Sequence, residues 1–377
     1  MHLKHPTPLF SPPGRRAMGM AGMAILLALA GCADMSGIDP HAQLRQPDSL
    51  GLPTASTAVE FPSPVASDWW HAWGDPQLDR LVKQALQDNP SLKIAQTRLA
   101  RALAVTDVGD AALLPQVNGA FDATRQLYTR NGAIPAPLAG TIRESGTLQL
   151  SASWELDFFG KYRSALDAAL GTAQAAEADA QAARVLLSAN VVRSYTQLVR
   201  LQAQLGVAER TLAQRQETLV LVQDRVKAGL DTRLELHQSE GGLPEARQQI
   251  EALKEQMALT RNALGALVGT PQAAQDLQVP PLAALRPTSL PTEIPANLLG
   301  QRADIAAARW RVEAAGKDVV NAKTQFYPNV NLVAFAGFSS IGLGRLLESG
   351  SQQWGVGPAL RLPIFEGGRL RAQLRTR

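Results

Sequence analysis

The sequence predicts a mixed α and β membrane protein, with long antiparallel helical hairpins joined to four β-strands that are staves of a barrel shared between chains. Three observations carry this. A proline-free helical pattern runs from about Phe159 to Lys227, longer than any compact domain needs. Several segments alternate apolar and polar side chains, one of them over the roughly ten residues of a membrane-spanning strand. A helix-then-strand pattern also recurs at a fixed offset of 213 residues.

The chain begins with features of export. Lys4, Arg15 and Arg16 form a basic n-region, and Ala17 to Ala30 form an apolar run of 14 residues. That run is too short to cross a membrane as a helix but fits a signal-peptide core. It ends in Leu29-Ala30-Gly31-Cys32, which resembles the lipobox of bacterial lipoproteins, and Cys32 is the only cysteine in the chain. One cysteine excludes an intrachain disulfide and a Cys-based zinc site. Residues 1–31 therefore read as a lipoprotein signal peptide and Cys32 as the lipid attachment point, with palmitate among its acyl chains. Ala33 follows Cys32, and Asp34 comes only after it, as in lipoproteins sent on to the outer membrane. Arg15-Arg16 lacks the rest of a twin-arginine motif. Residues 32–68 are rich in Pro, Ser, Thr and Asp without periodicity, and read as anchor and tether.

The body starts at Trp69-Trp70-His71-Ala72-Trp73-Gly74-Asp75-Pro76. Asp75 is the expected N-cap, with Pro76 in the first helical position. A single helical pattern is expected from there to about Leu114, where Pro115 stops it. Asn118, Asp122 and Thr124 then alternate with Val117, Gly119, Phe121 and Ala123. After a loop rich in Gly, Pro and Asn the alternation is cleaner. Leu148, Leu150, Ala152, Trp154 and Leu156 share one face, and Thr147, Gln149, Ser151, Ser153 and Glu155 share the other. This pattern by itself fits a half-buried strand of a water-soluble sheet equally well.

The long helical pattern that follows is Ala-rich from Arg163 to Ala183, which permits close packing. It then carries a heptad: Leu187, Val191, Ser194, Leu198, Leu201, Leu205, Ala208, Leu212, and later Leu219, Val222 and Val226. At 1.5 Å per residue it would be about 100 Å long. Ala228-Gly229-Leu230-Asp231-Thr232 breaks the pattern, and Leu243, Ala246, Ile250, Leu253, Met257, Thr260, Leu264 and Leu267 run back as a second heptad. A hairpin with its tip at Gly229 results, with a kink expected near Gly241, Gly242 and Pro244. Residues 270–296 hold six prolines and form an irregular connector.

The first pattern then returns. Leu299 to Ile305 corresponds to Leu86 to Leu92, and Tyr327-Pro328-Asn329-Val330 to Leu114-Pro115-Gln116-Val117. Val330, Leu332 and Ala334 alternate as before. Trp354, Val356, Leu360, Leu362 and Ile364 point one way, and Gly355, Gly357, Ala359 and Arg361 the other. Pro363 to Arg369 mirrors Asp157 to Lys161. A duplicated unit is the simplest account, so residues 69–269 form a first repeat and residues 297–377 a second. Four membrane strands cannot close a barrel, since single-chain barrels need about eight, so several chains must each donate a share.

Little else in the chain points to chemistry. Net charge is +4, with no run of five Lys/Arg and no basic cluster among aromatics, which argues against nucleic acid. The histidines at 2, 5, 41, 71 and 237 have no metal-ligand spacing, and Gly337 to Gly342 lacks the nucleophile-elbow spacing. Walker-type and dinucleotide glycine motifs are missing. The carboxylates Glu177, Asp179 and Glu209 read as solvated helix faces. No cofactor, metal or catalytic residue is expected, and the chain is not read as an enzyme.

Together the lipobox, Trp69 to Leu81, Asn89 to Leu99, Trp154 to Lys161, Arg302 to Pro328 and Pro363 to Arg369 resemble the outer membrane factor family, the TolC-like efflux channels, in its NodT/OprM lipoprotein branch. The resemblance implies a homotrimer. Three chains would close a twelve-stranded transmembrane β-barrel in the outer membrane and a long α-barrel in the periplasm. It implies a tripartite partnership with a periplasmic membrane-fusion adaptor and an inner-membrane resistance-nodulation-division transporter, exporting drugs or small toxic compounds. It places adaptor docking at Lys227, Ala228, Gly229, Leu230 and Asp231, and outer-membrane lipid against Leu148, Leu150, Trp154, Trp354 and Leu360. The chain has Ala303 where the family has proline, and Arg377 falls about two turns into the expected second long helix, so the second repeat is read as truncated. Alternatives of other kinds are a duct for type I protein secretion and a non-channel periplasmic coiled-coil lipoprotein.

Overall fold

The computed structural model describes residues 68–286 and 301–377, together with Met35 and Ile38. After a 3₁₀ turn at Trp69–Trp73, the elements are α1 Pro76–Asp88, α2 Pro90–Ala111, β1 Gln116–Leu127, β2 Ile142–Leu156, α3 Lys161–Lys227 and α4 Arg233–Val268. Then come the short α5 Gln272–Gln275, α6 Ala303–Thr324, β3 Asn329–Ile341, β4 Gln352–Arg361 and α7 Arg369–Arg375. They fall into two compact units. One holds the sheet with the adjoining ends of α2, α3 and α6, and the other holds the helical hairpin with α1 and α5.

In the sheet unit the four strands form an antiparallel meander in the order β1-β2-β3-β4, so β1 and β4 are both unpaired edges. Strands β1 and β2 extend beyond the alternating segments, and β4 ends at Arg361, leaving Leu362 and Ile364 outside it. The duplication is geometric: α2 and α6 each span 22 residues, and their bounds, like the first residues of β1 and β3, differ by the 213 positions read from the sequence. Both sheet-to-helix turns end on a left-handed glycine, Gly160 (φ 76°) before α3 and Gly368 (φ 85°) before α7. A residue with a Cβ is disfavoured in that conformation. The Ala-rich start of α3 does pack closely, since a Cβ on Gly171 would lie 3.1 Å from that of Ala314 on α6.

The helical unit is built on the two heptads. Leu198, Leu201 and Leu205 of α3 meet Ile250, Leu253 and Met257 of α4, the 3-4 spacing of a coiled-coil seam. A second cluster lies beside it. Leu78, Leu81, Val82 and Ala85, one face of α1, pack with Leu92, Trp70, Val191, Val192, Tyr195, Val199, Leu264 and Val268. The helix α3 thus buries two faces here, and Val192, Tyr195 and Val199 belong to the one the heptad does not include.

One expected helix is two. The pattern from Pro76 to Leu114 breaks at Asn89, whose backbone is extended (φ −64°, ψ 123°). The ring of Pro90 disfavours the helical conformation in the residue before it. Asn89 makes the break stable: its Oδ1 accepts from Ser91 N at 2.9 Å and Leu92 N at 3.3 Å, and its Nδ2 donates to Leu267 O at 2.8 Å. The helix α4 continues through Gly241, Gly242 and Pro244, where the kink is expected, with Pro244 inside it. There Arg215 Nη1 of α3 donates to the carbonyl of Gly242, a bond between the two helices two residues before the proline.

Candidate functional site

The site candidates are the sheet, which has two unlike faces, and the hairpin tip. The pairing register puts residues of neighbouring strands side by side. In successive rows it aligns Phe121, Leu148 and Phe338, then Gly119, Leu150, Ala336 and Trp354, then Val117, Ala152, Ala334 and Val356. Trp154, Leu332 and Pro358 form the next row, and Leu156, Val330 and Leu360 the last. All of these side chains are apolar, Gln352, which pairs with Phe338 at the start of β4, being the polar member of the first row, and the five residues singled out in the sequence, Leu148, Leu150, Trp154, Trp354 and Leu360, all lie on this face. They are exposed, Trp354 at 77% and Leu360 at 66%. The face ends in charge where Arg125 and Glu144 stand opposite each other, 3.6 Å apart.

The opposite face carries Asn118, Asp122, Thr124, Thr147, Gln149, Ser151, Ser153, Glu155, Asn331, Ser339, Gln353 and Arg361. Val333, Phe335 and Ile341 are exceptions that the sequence reading did not single out. Phe335 lies over Gly355, where a Cβ would come within 2.7 Å of its ring, so glycine leaves the space that the aromatic fills.

Aromatics gather where strands meet helices. Trp154 Nε1 donates to Leu113 O at 2.9 Å, and Phe159 stacks on Tyr327 with ring centroids 4.9 Å apart. On the polar side of the same junction, Glu155 accepts from Lys161 Nζ at 2.8 Å and from Tyr162 OH at 2.7 Å. Asn321 Nδ2 donates to Lys161 O at 2.6 Å, tying α6 to the start of α3. Burial opposes the charge on Lys161, but the hydrogen bonds and charges of Glu155 and Tyr162 together outweigh it and hold the ammonium above its ordinary pKa. The sequence showed Trp154 to Lys161 as a motif without these bonds, of which those from Trp154 to Leu113 and from Asn321 to Lys161 join distant positions.

At the tip, Gly229 (φ 74°) closes α3. Its N–H bonds to Val226 O at 3.0 Å and that of Leu230 to Arg225 O at 2.8 Å, the two bonds of a Schellman ending. Asp231 then receives both Nε and Nη2 of Arg225, at 2.8 and 3.0 Å, and this hydrogen bond holds its carboxyl below the ordinary value. Thr232 and Glu235 form a capping box that starts α4. Lys227 pairs with Asp224 at 3.0 Å, while Leu230 projects outward, 69% exposed. Ala228 completes the tip, its N–H bonded to Asp224 O at 3.0 Å. A bidentate ion pair, a left-handed glycine and a capping box thus fix five residues in one shape with an apolar side chain at its point. Cys32 lies outside the described residues.

Among the described residues no helix is long and apolar enough to cross a membrane.

Known proteins share this arrangement. The profile of the outer membrane efflux protein family matches residues 81–270 and 294–377. The chain is 38% identical over 369 residues to the fusaric acid resistance protein FusA of Burkholderia cepacia, covering 97% of this chain and 70% of that one. It is 32% identical over 370 residues to the putative multidrug resistance outer membrane protein MdtQ of Escherichia coli K12, covering 94% and 76%. Among solved structures, the outer membrane protein VceC of Vibrio cholerae superposes with a TM-score of 0.77 at 36% identity, covering 82% of this chain and 74% of that one. The outer-membrane channel OprN also gives 0.77, at 29% identity, covering 89% and 75%. By sequence and by fold, the chain belongs to the outer membrane efflux protein family.

Proposed function

We propose that three copies of this chain close one twelve-stranded barrel in the outer membrane and serve as the exit duct of a tripartite, resistance-nodulation-division type efflux system. The observation that carries this is the one-sided apolar face on a sheet with both edges unpaired. In hydrocarbon an unpaired edge is costly because no water satisfies its backbone groups, so a spanning sheet must close. In a four-stranded meander β1 and β4 run in opposite directions. The β4 of one copy therefore meets the β1 of the next as an antiparallel pair, a head-to-tail contact that repeats until the ring closes. The apolar face then meets lipid and the polar face lines a water-filled lumen.

The helices support the same assembly. The helix α2 buries only Leu92, while Ile94, Leu103, Val105 and Val108 are exposed. Apolar surface of this kind marks contact with another chain, and neighbouring copies in a periplasmic α-barrel would cover it. The tip, Lys227 to Asp231, docks the periplasmic adaptor, with Leu230 as its apolar contact. Cys32 carries the lipid, which holds the mature chain at the outer membrane. The duct takes its energy and its choice of drugs or small toxic compounds from the inner-membrane transporter, and the resistance named for FusA and MdtQ favours efflux over protein secretion.

The test is a deletion strain complemented by this gene. Restored resistance, together with a heat-resistant trimer in the outer-membrane fraction, is the expected result. A monomer in the soluble periplasmic fraction, with susceptibility unchanged, would overturn the reading.

A further inference from the structure

Near the sheet–helix junction, two helices leave an apolar cleft. Val319 and Ala322 of α6, with Phe326 just beyond it, present one wall, and Leu370 and Leu374 of α7, four residues apart, present the other. Phe326 is 5% and Leu374 4% exposed. Packed into this cleft are Met35 and Ile38, the two described residues of the N-terminal region. They are three residues apart, and both are half-buried. The segment around them is otherwise polar or small: Ala33, Asp34, Ser36, Gly37, Asp39. Its two large apolar side chains are thus the two that the cleft holds.

We propose that this cleft is the seat of an N-terminal latch, Met35 and Ile38, which fixes the lipid-bearing Cys32 at the level where the strands meet the helices. The placement of the lipid rests on the lipidation of Cys32 proposed above, whereas the latch itself does not. Three peptide units separate Cys32 from Met35, so their Cα atoms lie within about 11 Å. The cleft adjoins the segment bearing the stacked Phe159 and Tyr327, and Trp154 stands on the apolar face two residues from the end of β2. Aromatic side chains favour the membrane–water interface. Two independent features thus assign one plane to the inner surface of the bilayer: the aromatic belt, and a tether short enough to deliver acyl chains there. A latched anchor also restricts the tilt of the barrel in a way that a free tether of some thirty-five residues could not.

The experiment is cross-linking in the full-length chain. Ile38→Cys is combined with Leu374→Cys and treated with a short bismaleimide, in the native background and with Cys32→Ser. Asp167→Cys with Lys317→Cys, whose native side chains form an ion pair at 2.9 Å, serves as the folding control. A cross-linked, faster-migrating species in both backgrounds is expected. Its absence from both, with the control pair reacting, would overturn the latch. Its presence only in the acylated chain would also overturn it, since the lipid rather than the cleft would then place the segment. Cross-linking in both without incorporation of radioactive palmitate would leave the latch standing and remove the lipidation.

Discussion

Replacing Leu150 by arginine puts a charge at mid-depth of the apolar face. Leu150 stands six residues from Glu144, the charged position of β2 on the apolar face, and six from Leu156 at the other end. At about 3.4 Å per residue and a tilt near 40°, those limits are roughly 30 Å apart, so Leu150 sits about 15 Å from either. Arginine at the bilayer midplane of a barrel costs about 2–4 kcal/mol, falling to about 0–1 near the interfaces. In a trimer the midplane cost is borne three times, roughly 6–12 kcal/mol per assembly. The neighbouring Gln149→Arg, on the polar face, is the control, and Leu360→Arg near the end of the band gives the depth dependence. The assay is the fraction of heat-resistant oligomer in outer membranes, with urea titration of the chain folded into vesicles. Leu150→Arg should nearly abolish assembly, Leu360→Arg should weaken it mildly, and Gln149→Arg should leave it intact. Equal damage from Gln149→Arg would refute the assignment of faces.

Other expectations concern single contacts. Gly229→Val forces a branched residue into a left-handed conformation at about 1–2 kcal/mol, and should cut adaptor cross-linking at Leu230 severalfold while trimer yield is unchanged. The Asp231 carboxyl is held below its ordinary pKa of 3.8 by Arg225. Its contribution is therefore complete above that value and lost as pH falls through the lowered one, so amide protection at the tip should be flat from pH 7 to 5 and drop below about pH 4. Asp231→Asn should show the low protection at every pH. Tyr195 is fully buried, and its hydroxyl donates to the Asp75 carboxylate that caps α1. Tyr195→Phe should lower the unfolding free energy of the helical unit by about 1.5–3 kcal/mol, read by circular dichroism, and a change below 0.5 kcal/mol would count against that bond. A Cβ on Gly337 would fall 2.1 Å from Leu148 O, so Gly337→Ala should prevent normal β2–β3 pairing and deplete the folded form on gels.

Much of this architecture was legible because it repeats. A fixed offset between Pro115 and Pro328 places two helices and two strands at once, and the heptads of α3 and α4 announce their own seam. Gly229 is readable because only glycine takes that turn readily. What escaped reading depends on partners distant in sequence. Tyr195 lies off the heptad stripe and is buried only because α1 covers a second face of α3. Asn89 looks like an ordinary polar residue until Leu267 supplies its acceptor. Trp154 could be placed on a face but not bonded, since Leu113 O comes from the turn before β1, 41 positions earlier. Local rules located the elements, and tertiary contacts decided how many faces each one buries.

The two bare rims of the sheet bear on how the protein comes into being. In lipid a lone copy has nothing to satisfy the outer N–H and C=O groups of β1 and β4, and in water its greasy side has no solvent that suits it. Such a molecule has no finished state of its own: in water it is a template for indiscriminate strand addition, and in lipid it is unfinished. Completion of the sheet and union with its siblings must then be one event, second or third order in protein. Yield should fall steeply on dilution, and the cell must keep newly exported copies shielded until enough of them meet.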